Sequence, residues 1–249
     1  MMMETRAQKR RRLERLEEDL IQAATTGDIN KTHELLKNSD LNVNNGEKEF
    51  QRTAFYLACK HGHLDVVKEL LADKRVDINK VQSEGATPFN IACQQGHIEV
   101  VRLLLEKPEI DVNQANNESV APFFFVCQDG DLELAKLLLQ DPRVDINQGC
   151  NDGATALFMA AQKNYTELIE WIIASRDYVD IVATWQGMTA MDIALQEGYD
   201  DVTNLLRQLA INQSTTRMLL RRKLGLSGNN FDSLLHLIFF LKKQKQKQK

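Results

Sequence analysis

The chain has 249 residues, of which 43% are hydrophobic and 27% charged, and its formal net charge is −4 at pH 7. This length and apolar content are ample for a sizeable core. The longest apolar run, residues 234–241, is far too short to span a bilayer, which excludes it as a transmembrane helix. The chain has four cysteines and no secretory pattern after its first methionines, so we expect a reducing location, cytoplasmic or nuclear.

The charge is unevenly distributed along the chain. Residues 1–18 carry six Lys or Arg against four Asp or Glu, and residues 210–249 carry nine against one. Residues 19–209 therefore have a net charge of −14. Because such an acidic segment repels phosphates, nucleic acid is not expected to bind there. A basic protein segment, or the chain's own tail, is a better-matched partner.

The first predicted element is a helix over residues 4–24, and residues 1–18 are predicted to form a basic N-terminal cap. Three leucines of this helix recur at helical spacing: Leu13, Leu16 and Leu20. A basic run within the helix consists of Lys9, Arg10, Arg11 and Arg12. This run supports two interpretations, a nuclear-localisation signal or a solvated basic turn of the capping helix.

The sequence from residue 53 onward repeats every 34 residues. One column is threonine except at its third position, and it runs Thr53, Thr87, Ala121, Thr155 and Thr189. A second column is glycine except at its fourth position, and it runs Gly62, Gly96, Gly130, Asn164 and Gly198. A fixed period of this length is typical of a stacked repeat array.

Each repeat predicts two short helices and an extended loop, as residues 85–114 illustrate. Thr87 followed by Pro88 suits a helix N-cap and first helical position, and Gly96 suits the end of that helix. A second helix over residues 99–105 has a wide apolar face, and an extended segment follows it. Such a pair cannot bury both apolar faces alone, so neighbouring repeats must cover them.

These residues resemble the ankyrin repeat family. The resemblance rests on T-P-F-N-I-A at 87–92, G-H at 62–63 and 96–97, and D-I-N or D-V-N at 77–79, 111–113 and 145–147. It implies an all-α solenoid of stacked helix-turn-helix units with short β-hairpin-like loops. The expected units lie near residues 19–47, 48–81, 82–115, 116–149, 150–183 and 184–209, the first of them partial. The family's first-helix histidine is replaced in every full unit, by Tyr56, Asn90, Phe124, Phe158 and Asp192.

No chemistry-bearing cluster stands out against this repeat pattern. Cys59, Cys93 and Cys127 occupy one column of consecutive units, and packed helices lie about 8–10 Å apart, so three sulfurs cannot converge on one zinc ion. The cysteines are better interpreted as small buried side chains. The sequence contains no phosphate-binding glycine loop and no nucleophile placed beside a base. We therefore expect no metal, no cofactor, no small-molecule substrate and no enzymatic activity.

The asparagines of the D-V/I-N motif support two interpretations. A side-chain amide in this setting bonds the backbone of the hairpin loop. The resemblance also implies that Asn113 and Asn147 are candidates for hydroxylation, because a leucine stands eight residues before each of them.

The resemblance further implies a partner-binding face formed by hairpin tips and the short first helices. The candidate residues are Phe50, Arg52, Lys60, Glu84, Gln94, Gln95, Asn117, Glu118, Gln128, Asp152, Gln162, Trp185 and Met188. Trp185 supports two interpretations, an aromatic binding anchor or a ring that packs against the next hairpin or the C-terminal tail.

Residues 210–249 depart from the repeat and are predicted to form a basic C-terminal extension. Residues 214–226 suit one basic amphipathic helix and residues 229–241 another. The extension is expected to cap the last repeat, with a disordered lysine-glutamine end. A second interpretation is docking of residues 237–249 on an anionic membrane surface.

The sequence therefore predicts a non-catalytic scaffold or adaptor that binds another protein, with a basic segment as the best-matched partner. The alternative is a targeting or regulatory protein whose basic ends engage nuclear import factors or an anionic membrane.

Overall fold

A computed structural model describes residues 5–226, which divide between two compact units, Met1–Pro122 and Phe123–Lys249. The described residues form thirteen α-helices and one two-stranded β-hairpin. This content agrees with the all-α prediction.

The first unit is built from three helix–turn–helix pairs. Its helices are α1 (Arg6–Thr26), α2 (Ile29–Leu36), α3 (Ala54–Lys60), α4 (Leu64–Ala72), α5 (Pro88–Gln94) and α6 (Ile98–Leu105). The first helices of the pairs, α1, α3 and α5, pack against one another in one layer. The second helices, α2, α4 and α6, pack in another. Two layers of helices around one core are what the alternating short and amphipathic helices predict.

The second unit repeats this arrangement and ends differently. Its elements are α7 (Pro122–Asp129), α8 (Leu132–Gln140), α9 (Ala156–Gln162), α10 (Thr166–Ser175), β1 (Thr184–Trp185), β2 (Met188–Thr189), α11 (Ala190–Gln196), α12 (Asp200–Ile211) and α13 (Gln213–Lys223). The strands β1 and β2 pair antiparallel, with Trp185 opposite Met188. The last helix, α13, packs against α10 and α12.

The threonine column begins the first helices, as predicted. The Thr87 hydroxyl accepts from the backbone N–H of Asn90 at 3.0 Å, and Pro88 holds the first helical position. Thr53, Thr155 and Thr189 cap their helices in the same way. Each cap satisfies one of the amide groups that the start of a helix leaves without a partner, which contributes about 1 kcal/mol.

The core of each unit is made by the same columns in successive pairs. Phe55 and Phe89 are fully buried in the first unit, and Phe123 and Leu157 occupy the same column in the second and are buried too. Each such side chain stabilises the fold by about 1.5–3 kcal/mol relative to an exposed one. Cys59, Cys93 and Cys127 are buried too, which confirms that they are small core side chains.

The N-terminal helix begins and ends two residues later than predicted, and its two halves differ in burial. It runs from Arg6 to Thr26 rather than over residues 4–24, because Thr5 and Gln8 form a capping box that begins it. It continues without a break past residue 18, where the basic cap was expected to meet the first unit. Its C-terminal half buries Leu20, whereas residues 6–12 are all exposed.

Successive pairs of the first unit are joined by side chains that bond the backbone of a neighbouring pair. The His63 Nε2 atom lies 3.0 Å from the Thr25 carbonyl oxygen, and the His97 Nε2 atom lies 2.8 Å from that of Lys60. The Asn79 amide donates to the Glu109 carbonyl at 2.8 Å and accepts from the Asp111 N–H at 3.0 Å. Asn79 thus bonds the backbone of a loop, as predicted for this motif, and the loop belongs to the next pair.

Side chains also bond the backbone of a neighbouring pair in the second unit, but the asparagine column ends before its last pair. Asn147 Oδ1 accepts from the Asp180 N–H at 2.8 Å. The next position of this column, in the V-D-I-V segment, is Val182, and it is 72% exposed. Among residues 5–226 no further extended loop follows the last second helix, because α13 begins directly after α12, so an asparagine at residue 182 would have no such backbone to bond.

Two glycines of the second unit provide a matched test of this stacking. Gly130 and Gly198 both have left-handed backbones, with φ of +74° and +75°. A Cβ atom at Gly130 would lie 2.5 Å from the Tyr165 ring, whereas one at Gly198 would meet nothing within 4 Å. Only the first position therefore combines backbone strain with a steric clash.

We expect Gly198→Ala to lower the free energy of unfolding by about 1–2 kcal/mol, because an alanine strains the left-handed backbone. Gly130→Ala should lower it by about 1–3 kcal/mol more, because the tyrosine ring must also move. Urea denaturation followed by circular dichroism measures both losses. Equal losses would show that Tyr165 does not pack against this turn.

Candidate functional site

The hairpin tips of the first unit are held in series by backbone hydrogen bonds. The Ser83 N–H donates to the Phe50 carbonyl at 2.8 Å, and the Asn117 N–H donates to the Glu84 carbonyl at 2.9 Å. The Asn117 side chain adds a bond to the Ser83 carbonyl at 3.1 Å. Asn117 is thus part of the frame that fixes the spacing of the tips. Glu84 and Glu118 are exposed on this frame.

The candidates Phe50 and Arg52 lie in contact with each other. The Arg52 guanidinium carbon lies 4.6 Å from the centre of the Phe50 ring, and its Nε atom lies 2.5 Å from Glu47 Oε1. Cation–π contact and the ion pair together orient both side chains. One face of the half-buried Phe50 ring is therefore covered by Arg52.

The ends of the first helices carry polar side chains that the fold does not use. Gln94 and Gln95 end α5 and are both exposed, although the preceding residues of α5 are buried. Within residues 5–226 neither side chain makes a hydrogen bond. Lys60 stands at the same position of α3 and is half-buried. His61 follows it and is exposed, and partial burial, with Lys60 nearby, lowers its pKa.

Trp185 occupies a defined position in the second unit. Its indole N–H donates to Asp152 Oδ2 at 2.5 Å, and its ring meets the Phe158 ring edge-on at 5.4 Å between centroids. Within residues 5–226 these contacts are with the preceding hairpin and α9, whereas the packing interpretation expected the next hairpin or the tail; the tail beyond residue 226 lies outside the described residues. The reason is that β1 and β2 form the last hairpin of the described residues. The ring remains half-exposed.

Asp152 joins two hairpins of the second unit, and sequence reasoning missed this connection. The Cys150 thiol donates to Asp152 Oδ1 at 2.8 Å, and Trp185 donates to the other oxygen. These two hydrogen bonds lower the pKa of the Asp152 carboxyl. The one sequence signal is the separation of Asp152 and Trp185, which is close to one repeat.

The remaining candidates of the second unit are less exposed than predicted for a wet surface. Gln128 and Gln162, near the ends of α7 and α9, are half-buried, as is Met188 opposite Trp185.

The tip surface is defined here as the hairpin tips together with the C-terminal ends of the first helices, taken within each unit.

The cysteine column has no features of a reactive or metal-binding site. Burial raises the pKa of the Cys59, Cys93 and Cys127 thiols, so they stay protonated. Among residues 5–226, no group of three His, Cys, Asp or Glu side chains is placed to hold a metal ion.

The remaining predicted sites are the basic run of α1, the two asparagines proposed for hydroxylation and the C-terminal segments. Lys9 pairs with Asp40 at 2.7 Å and Arg10 with Glu14 at 2.8 Å, and all four residues of the basic run are exposed on α1. Asn113 and Asn147 are half-buried in loops. The helix predicted over residues 229–241 and the membrane-docking segment lie outside the described residues. Within residues 5–226, no helix has the length and apolar character needed to cross a membrane.

The Trp185–Asp152 bond makes a testable prediction about pH. Because the pKa of Asp152 is held below its ordinary value of 3.8, the bond contributes stability above that value and loses it as pH falls through the lowered pKa. In a Trp171→Phe background, we expect Trp185 fluorescence to stay constant from about pH 7 to pH 4 and to change only below. Asp152→Asn should abolish that titration. A transition centred above 3.8 would contradict the assignment.

Comparison with known proteins agrees with this architecture. Residues 20–116 and 123–217 match a family model described as ankyrin repeats (3 copies). A similar solved structure is the ankyrin repeat protein EF0377, with 27% identity and a TM-score of 0.69 over 77% of this chain and 98% of that one. Another is described as the predatory endopeptidase Bd0816 from Bdellovibrio bacteriovorus in complex with immunity protein Bd3460. Its matching chain has 25% identity and a TM-score of 0.61, over 76% of this chain and 97% of that one.

The predicted ankyrin fold is thereby confirmed. The matched residues make up most of the chain, and both units contain a first helix, an amphipathic second helix and a connecting loop in series. Ankyrin repeats generally act as non-catalytic modules for protein interaction. The chain belongs to the ankyrin repeat family.

Proposed function

We propose that this protein is a non-catalytic scaffold or adaptor that binds a partner protein through its tip surface. The observation that carries the proposal is the exposed pair Gln94 and Gln95. These side chains extend from a helix whose other residues are buried, and within residues 5–226 they form no hydrogen bond. Polar groups that are rigidly placed and unused by the fold are available for a partner's backbone or side chains.

The frame beneath these groups supports the same function. Threonine caps begin the first helices, and backbone bonds link the tips from Phe50 to Ser83 and from Glu84 to Asn117. Little conformational freedom is then lost when a partner binds, which favours affinity. In the second unit, Trp185 offers a half-exposed aromatic ring held by Asp152 and Phe158. Large aromatic rings held in this way are favoured binding anchors.

The charge of the array favours a basic partner segment. Residues 19–209 carry a net charge of −14, and Glu84 and Glu118 are exposed at the tips of the first unit. A basic segment approaching this surface would be steered by complementary charge. One of the similar structures is itself described as a complex between two proteins, which is consistent with a binding role for this chain.

We expect the double substitution Gln94→Ala and Gln95→Ala to abolish or strongly weaken partner capture from the source cells. Its free energy of unfolding should stay within about 0.5 kcal/mol of the wild type, since both side chains are exposed. Glu99→Ala with Arg102→Ala, an exposed pair on α6 of the same repeat, is the matched control. Capture that survives the first pair and fails with the control would place binding on the second helices instead.

A second candidate function is nuclear targeting through α1, which the exposure of its basic run favours. Lys9, Arg10, Arg11 and Arg12 lie on the half of α1 that extends away from the buried Leu20. We expect a fluorescent fusion of the full chain to be nuclear, and Arg11→Gln with Arg12→Gln to shift it to the cytoplasm. Lys31→Gln with Lys37→Gln on and beside α2 is the charge-matched control. A wild-type fusion confined to the cytoplasm would remove this candidate.

A further inference from the structure

The last helix, α13, covers α10 and α12 with an unusual face. Its buried residues are Thr216, Arg217 and Leu220, whereas Met218 is 62% and Leu219 55% exposed. A helix that only closes a stack is expected to turn its apolar residues inward. Here Leu220 is buried and Leu224 half-buried, but two other apolar residues face solvent while Thr216 and Arg217 are buried. Polar contacts therefore hold this helix beside apolar burial.

Three basic side chains of α13 hold it against α10 and the segment directly after α10. Arg217 Nη2 donates to the Asp177 carbonyl, and Arg221 Nε donates to the Ala174 carbonyl at 2.8 Å. Lys223 Nζ lies 2.5 Å from Glu170 Oε1. Ala174 belongs to the last turn of α10, where unpaired carbonyls and the helix dipole favour cations. The chemistry recognised at this surface is thus that of a basic helix.

Glu170 has the opposite charge to the residues at the same position of the three repeats before it, and this charge suits a basic helix. The same position is basic in α4, α6 and α8, namely Lys68, Arg102 and Lys136. Glu170 is only 9% exposed, because α13 covers it, and Lys223 neutralises its charge. A buried carboxylate is costly without such a partner. The reversal of charge at this one position therefore matches a basic ligand on α10.

The contact leaves one buried polar atom of α13 without a partner. Among residues 5–226, Arg217 Nε is buried and makes no hydrogen bond, although Arg217 Nη2 does. A buried polar group without a partner weakens the association that buries it. The docked helix is consequently held less tightly than a fully satisfied one would be.

A single residue connects α13 to the repeat, and it suits a hinge. Asn212 has an extended backbone with φ of −152° and ψ of 91°. Its N–H donates to the Gln208 carbonyl of α12, and its side chain caps α13 through the Thr215 N–H. A change at Asn212 alone can move α13 while α12 keeps its own hydrogen bonds.

We propose that the surface of α10 and α12 beneath α13 is a binding site for a basic amphipathic helix of a partner protein, and that α13 occupies this site as an intramolecular ligand. The matching helix carries two arginines four residues apart, a lysine two residues further on, and an apolar residue directly before the second arginine. This is the arrangement of Arg217, Arg221, Lys223 and Leu220. The site lies on the second helices and is separate from the tip surface.

The first test uses a fluorescent peptide of residues 212–226 added to the full-length protein. An attached helix competes at high effective concentration, so the wild type should bind the peptide weakly. Weakening the attached helix by Arg217→Gln with Arg221→Gln should increase peptide affinity by about tenfold or more. Adding Glu170→Gln to that variant should reverse the gain. Arg222→Gln, an exposed residue of α13, is the control and should bind as the wild type does.

Equal peptide affinity for the wild type and the double variant would overturn the proposal, as would a gain that Glu170→Gln leaves unchanged. A second measurement needs no variant. Hydrogen exchange of the wild type should show residues 213–224 opening while the α12 amides stay protected. Raising salt from about 0.05 to 0.5 M should accelerate that opening several-fold, because the contact is largely electrostatic. Exchange of α13 and α12 at one common, salt-independent rate would show a permanent cap.

Discussion

The structure depends on one constraint, which is that a pair of short helices cannot bury its two apolar faces without a neighbouring pair. The pairs therefore have to be held at a fixed spacing, and polar side chains contribute to this beside the core. His63 and His97 contact backbone carbonyls of the preceding pair, and Asn79 and Asn147 bond the loop of the following pair. Each bond joins residues about one repeat apart, so stability is a property of neighbours.

This constraint explains why both ends of the array depart from the repeat. At the start, α1 is three times as long as a typical first helix, and only its C-terminal half is buried. At the end of the described residues, the asparagine column gives way to the exposed Val182. The last pair is then covered by α13, which bonds the carbonyl end of α10 through arginines rather than through another repeat. Such a terminal helix is held by charged side chains at positions where another repeat would be held by packing.

The surfaces left over by this arrangement are the ones available for function. The core columns hold phenylalanine, leucine and cysteine with no accessible chemistry, whereas exposed polar side chains remain at the ends of the first helices and at the hairpin tips. The second helices α4, α6 and α8 carry a basic residue at one position, and Glu170 of α10 reverses the charge there. Two separate surfaces, one at the tips and one under α13, thus have different chemical requirements for a partner.

The sequence by itself determined the fold, because a 34-residue period of threonine, glycine and apolar columns leaves few ways to bury its helices. It also placed the caps and the buried cysteines correctly, since both follow from spacing along one chain. Contacts between residues a repeat apart were decided only by the tertiary structure. Trp185 meets Asp152, and Lys223 meets Glu170, because loop and helix positions bring them together in space. No local pattern encodes such pairs: Trp185 stands out in the sequence, but nothing near it identifies Asp152 as its partner.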